Sequence, residues 1–248
     1  MHTDIAGAVM LNLLHGFSLK AGWKPISLMW SAQRLVALLA LMEQPLSRTY
    51  AAGILWPETT DSRAYANLRS SLWRVQRACG NLIVASPQRL CLASRVVVDQ
   101  QAGMRSAYRM LDTADPCDDA LNVQTLTVLS ADLLPDWYDD DWVVVHRERY
   151  HQLRLHALEA MCERLTAARR YGEAVEAGMA AIRAEPLRES AHQALIKVHL
   201  AEGNRFEAAR QFESCCHLLR KELGLDPSPG MRMLLADGLP PRPRVMSR

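Results

Sequence analysis

Between Ser62 and Gly80 the sequence reads SRAYANLRSSLWRVQRACG, and the spacing of its arginines suits one kind of chemistry. Wound as a helix, it places Arg63, Asn67, Ser70, Arg74 and Arg77 on one side, at offsets 0, 4, 7, 11 and 14. Ala64, Leu68, Leu72, Val75 and Cys79 fall on the other side, where they can pack on a core. No Asp or Glu lies between Arg63 and Arg77, so nothing local neutralises the row. Arginine forks onto guanine O6/N7 or onto phosphate, Asn pairs with adenine, and Ser bonds to either. Such a face fits a DNA major groove. A solvated helix that uses Arg only for solubility has the same composition, so the flanking elements must decide between the two.

Charge is distributed unevenly around this stretch. The 248 residues carry a net charge of only +2, and 49% of them are apolar, enough to build a substantial core. Residues 1–98 hold ten Lys and Arg against four Asp and Glu, a net +6, whereas residues 99–248 hold 19 against 23, a net −4. A basic front and an acidic back suggest two units with different partners. Cysteines at 79, 91, 117, 162, 215 and 216 form no C-x-x-C pair and read as reduced, mostly buried thiols of a cytoplasmic protein. The N-terminus lacks the basic region of a signal peptide, and no apolar run is long enough to span a membrane.

Ahead of the arginine-rich stretch, Val9 to Leu14, Phe17 to Leu19 and Pro25 to Leu28 read as small antiparallel strands. Ser31 is the expected N-cap of a helix whose Leu35, Leu38, Leu39 and Met42 share a face, ended by Pro45. Ser47 caps a second helix, Arg48 to Leu55, stopped by Pro57. Asp61 and Ser62 are candidate caps for the arginine-faced helix, which Gly80 closes. Leu82 to Ala85 and Leu90 to Leu92, joined by Ser86-Pro87-Gln88-Arg89, read as a hairpin with Arg89 near its tip. A small sheet, three helices and a hairpin resemble the winged helix-turn-helix of the OmpR type over about residues 9–98. Leu55-Trp56-Pro57 and the run Asn67 to Arg74 carry most of that likeness. The resemblance implies that the third helix enters the major groove and that the wing reaches the backbone or minor groove. The DNA-binding candidates are therefore Arg63, Asn67, Ser70, Arg74, Arg77 and Arg89.

Beyond residue 98 the pattern becomes helical: about 101–111, a polar loop at 112–119, a short helix at 121–129, and a long one at 143–168. In the segment between the last two, Trp137, Tyr138 and Trp142 are expected to pack, with the neighbouring Asp residues wet and capping the long helix. The chain then repeats itself with a shift of 34 residues. Met161-Cys162 falls on Leu195-Ile196, Glu173-Ala174-Val175 on Glu207-Ala208-Ala209, and Ala181-Ile182 on Cys215-Cys216. Paired helices at this period are the tetratricopeptide signature. The second copy has turn residues at Ala201 to Asn204, whereas the first has Arg169 where a Gly is expected. Leu225 to Pro229 should stop the array, with one last helical turn at Met231 to Leu235 and a disordered tail at 240–248.

The whole chain, over roughly residues 9–238, resembles the SARP-type activators, in which a winged helix precedes a bacterial transcriptional activator domain. Leu133 to Tyr138, Arg188 to His192, His199 to Arg205 and Glu222 to Pro229 carry the likeness. The expected fold is thus mainly α with small antiparallel β: a winged helix-turn-helix at 1–98, then an all-α tetratricopeptide-like domain at 99–239. The resemblance implies a sequence-specific regulator of transcription, usually an activator, that binds promoter repeats in double-stranded DNA and contacts RNA polymerase. A homodimer on DNA would occupy two half-sites one helical turn apart. The G-x-x-x-x-G-K-[ST] motif of the NTPase module found in larger members does not occur, and about eight residues ahead of the first strand leave no room for a receiver domain.

Enzymatic chemistry has little support. The eight His, at 2, 15, 146, 151, 156, 192, 199 and 217, form no H-E-x-x-H, and G-x-S-x-G and G-x-G-x-x-G are absent. No enzyme, cofactor or metal site is expected. The competing reading is a tetratricopeptide adaptor whose winged helix mediates protein contact.

Overall fold

The computed structural model describes residues 8–112 and 118–238. The expected tail, Cys117 and most of the 112–119 loop lie outside them. The chain divides into two compact units, residues 1–102 with 131–150 and residues 103–130 with 151–248.

In the first unit β1 (Val9–Asn12) pairs antiparallel with β2 (Ser18–Ala21), and β2 with β3 (Lys24–Pro25). Alternation places Val9, Leu11 and Leu19 in the core. Helix α1 (Trp30–Met42) is central, touching α2 (Arg48–Leu55), α3 (Asp61–Cys79) and the later hairpin. With neighbours on several sides it is buried without a break from Leu35 to Leu41, more than one face of a helix. Each fully buried Leu contributes about 2 kcal/mol. Strand β4 (Leu46–Ser47), then β5 (Ile83–Ala85) and β6 (Arg89–Leu92), form a second antiparallel sheet in the order β4-β6-β5. Strand β7 (Val96–Val98) returns to the first sheet and lies parallel to β1.

Helix α4 (Asp99–Leu111) starts where β7 ends. The Asp99 carboxylate accepts from the Leu13 and Leu14 N–H groups (2.8 and 3.1 Å), tying the end of β1 to the helix start. The segment from 131 to 150 also belongs here. Leu14 bridges Leu133, and Arg147 donates to the carbonyls of Leu133, Leu134 and Trp137. Trp137 is buried against Phe17, Trp30 and Trp142 as expected, but Tyr138 is exposed. Nor do all the acids stay wet: Asp140 is buried, accepting from Arg34 at 2.5 Å and from the Trp142 indole at 2.9 Å.

Capping differs at two helix starts. Met29, not Ser31, is the N-cap of α1, and Thr60 rather than Asp61 or Ser62 that of α3; neither cap uses a side chain. Ser47 caps α2 as expected, accepting from the Tyr50 N–H at 3.1 Å.

The second unit contains α5 (Val123–Leu129), capped by Asn122, and the later part of α6 (Asp141–Ala167), followed by α7 (Tyr171–Ala184), α8 (Glu189–Glu202), α9 (Arg205–Leu223) and α10 (Pro229–Gly238). Small residues fill the α7 contact, where a Cβ on Gly178 would meet Cys162 Sγ and Leu195 Cβ at 3.3 Å each. The two repeats turn in the same way. Gly203 and Asn204 donate to Leu200 and His199, and 34 residues earlier Arg169 and Arg170 donate to Thr166 and Leu165. Both are Schellman turns, and both need a left-handed residue, met by Gly203 at φ 88° and by Arg169 at φ 58°. Pro229 begins a helix rather than ending the array. Proline at the first helical position loses no bond, and Ser228 caps it.

Candidate nucleic-acid interface

Helix α3 is held on its inner side by Ala64, Leu68, Ser71, Val75 and Cys79, all buried. Leu72, expected on the core side, is only half-buried, and Ser71 beside it is fully buried. At about 100° per residue this rotates the outward face by roughly 60° from the expected row. Arg63, Ser70 and Arg77 remain exposed, whereas Asn67 and Arg74 move to a half-buried flank. There Arg74 Nη1 donates to Ser31 Oγ at 3.0 Å, joining α3 to α1. The hydroxyl expected to cap α1 thus serves this contact instead.

Three residues outside the expected row occupy the outward face: Arg69, Trp73 and Gln76. Arg69, Trp73 and Arg77 succeed one another at intervals of four, a spacing already visible in the sequence. The Arg77 guanidinium lies 5.2 Å from the Trp73 ring centre. Gln76 donates to Asn81 at the helix end.

Strands β5 and β6 carry the hairpin beside this face, and Arg89 is exposed at its turn. The turn is set by Ser86, whose Oγ accepts from the Arg89 N–H at 2.9 Å. A second cation stands beside it. Arg48, the first residue of α2, donates through Nε to the Ser86 carbonyl at 3.0 Å. It was out of sight in the sequence because 38 residues separate the two. Arg63, Arg69, Arg77 and Arg89 have no carboxylate partner among the described residues, unlike Arg34, which is paired with Asp140. The arrangement is an outward cationic face on an anchored helix, flanked by a hairpin that carries Arg89 and is joined by Arg48 from the start of α2. Long donors without local counter-charge attract polyanions.

The model of the bacterial transcriptional activator domain matches residues 98–237, more than half of the chain. The chain belongs to the bacterial transcriptional activator domain family. It is a family of transcriptional regulators, not a class of enzymes, and the SARP-type resemblance read from the sequence holds. No curated protein matches the chain. Among solved structures, "Mycobacterium tuberculosis EmbR in complex with low affinity phosphopeptide" is similar, with a TM-score of 0.73 and 18% identity over 92% of this chain. The chain spans 64% of the length of that one. At this identity the likeness is one of fold: N-terminal strands, then a helical domain.

Within the activator domain, His192 is buried on α8. Its Nε2 lies 2.9 Å from the Pro186 carbonyl, and Gln211 Nε2 lies 2.7 Å from its Nδ1. The pairing fits a neutral ring protonated at Nε2, and burial pushes its pKa below the ordinary value. Among the described residues no group of three or more His, Cys, Asp or Glu is placed to hold a metal, and no helix is long and apolar enough to cross a membrane.

Proposed function

We infer that this activator-family chain binds promoter DNA sequence-specifically through an OmpR-type winged helix. Helix α3 lies in the major groove, with Arg63, Arg69, Ser70 and Arg77 toward bases and phosphates. Arg89 on the hairpin and Arg48 beside it at the start of α2 meet the backbone or minor groove. Arg74 and Asn67 serve at the flank, Arg74 by fixing α3 on α1. The observation that carries this reading is the exposed, carboxylate-free cationic face of α3. The second unit, a tetratricopeptide-like array in the net-acidic part of the chain, contacts RNA polymerase and a second copy of the chain on promoter repeats. The protein acts in the cytoplasm.

The test is binding of the full chain to duplex DNA over a range of salt. A protein that neutralises several phosphates loses affinity steeply, with log K falling by about 0.9 per contact for each unit of log salt. On a duplex with two half-sites the full chain should bind cooperatively and raise transcript output. A flat salt response would favour the adaptor reading, in which the winged helix contacts protein.

A further inference from the structure

One large apolar group stands in the middle of the cationic face. Trp73 is 59% exposed, and its indole N–H has no hydrogen-bond partner among the described residues. It lines a groove with Arg48, Arg69, Gln76 and Ile83, between α3 and the hairpin. The Arg77 guanidinium stacks on it, 5.2 Å from the ring centre. A cation held over an indole is oriented before any ligand arrives, so it loses less freedom on binding.

An apolar ring on a major-groove face has one apolar feature to meet, the thymine C5-methyl. The stacked guanidinium has a matching one in guanine, whose O6 and N7 accept its fork. Successive base pairs are about 3.4 Å apart, so two groups 5.2 Å apart, between one and two steps, can reach neighbouring pairs. We propose that Trp73 and Arg77 act as a unit that reads a thymine beside a guanine, with the indole on the methyl and the guanidinium on the guanine edge. This rests on the DNA-binding reading above.

The experiment uses the full chain and the tightest duplex it selects from a randomised library. Each thymine is replaced in turn by deoxyuridine, which removes the methyl and leaves every hydrogen-bonding group in place. One thymine should be sensitive, with affinity falling about fourfold, the worth of one buried methyl-sized group. The neighbouring guanine, replaced by 7-deazaguanine, should cost the unmodified protein about tenfold. W73A should bind thymine and uracil duplexes equally, and R77A should ignore the 7-deaza change. Because the uridine scan is done on the unmodified chain, the result does not depend on whether W73A folds. If a duplex is selected and bound with a steep salt response but no thymine is methyl-sensitive, the Trp73 assignment is overturned and the DNA reading stands. The assignment also fails if W73A keeps the sensitivity. If no duplex is selected, the DNA reading fails and this inference with it.

Discussion

Arg169 is a non-glycine residue at a turn built for glycine, and replacing it should stabilise the protein. At φ 58° it pays for a conformation that costs an L-residue about 1–2 kcal/mol, because its Cβ crowds the backbone. Gly203, its counterpart 34 residues later, occupies the same turn at φ 88° without that clash. Arg169→Gly removes the clash but adds about 0.5–1 kcal/mol of unfolded-state entropy. The net gain is about 0.5–1 kcal/mol, since Arg169 is exposed and forms no ion pair among the described residues. For a chain of this size that is a rise in midpoint of about 1–3 °C. Two probes separate the units. All six Trp, at 23, 30, 56, 73, 137 and 142, lie in the first unit, so their fluorescence follows that unit alone. Far-UV circular dichroism also reports the helices of the second. The gain should appear in the dichroism melt and not in the fluorescence melt. Arg169→Ala keeps the Cβ and should give no gain, and Gly203→Ala should cost about 1 kcal/mol. A gain as large from Arg169→Ala as from Arg169→Gly would refute the backbone explanation.

The two arginines on different sides of α3 should separate stability from binding. Arg69→Gln should lower the slope of log K against log salt by about 0.9 if Arg69 meets a phosphate, and leave the melting curve unchanged. Arg74→Met removes the bond to Ser31, should cost about 1 kcal/mol in denaturant unfolding, and should leave the slope alone. Gly178→Leu puts side-chain atoms where even a Cβ already sits 3.3 Å from Cys162 and Leu195, and should destabilise the second unit by about 1–3 kcal/mol in the dichroism melt. His192 has a folded pKa lowered by burial, so the unfolded chain takes up its proton first as the pH falls. Its stability contribution is complete above about pH 6.5 and is lost as the pH drops from there through the folded value, by up to about 1.4 kcal/mol per pH unit. Unfolding titrations of His192→Gln should lack that component; an identical pH dependence would remove His192 from the account.

Much of the architecture was legible in the chain itself. The 34-residue repeat showed because each helix pair must present small and apolar residues at the same places to stack on the next. The three helices and the hairpin showed because Pro45, Pro57, Gly80 and the Ser86 turn break the hydrophobic periods that define them. The absence of carboxylates from Arg63 to Arg77 is likewise a property of sequence alone. The rotation of α3 was not legible. A helix wheel sorts residues by polarity, but on α3, which packs against α1 and α2, Ser71 is fully buried and Leu72 half-buried. That packing moves Arg74 and Asn67 off the outward face and brings Arg69, Trp73 and Gln76 onto it. The Arg48 contact at the hairpin, the burial of Asp140 by Arg34, and the placing of 131–150 with the first unit join residues tens of positions apart. Periodicity fixes which residues share a face of one element; which way that face points is settled only when the neighbouring elements compete for the same space.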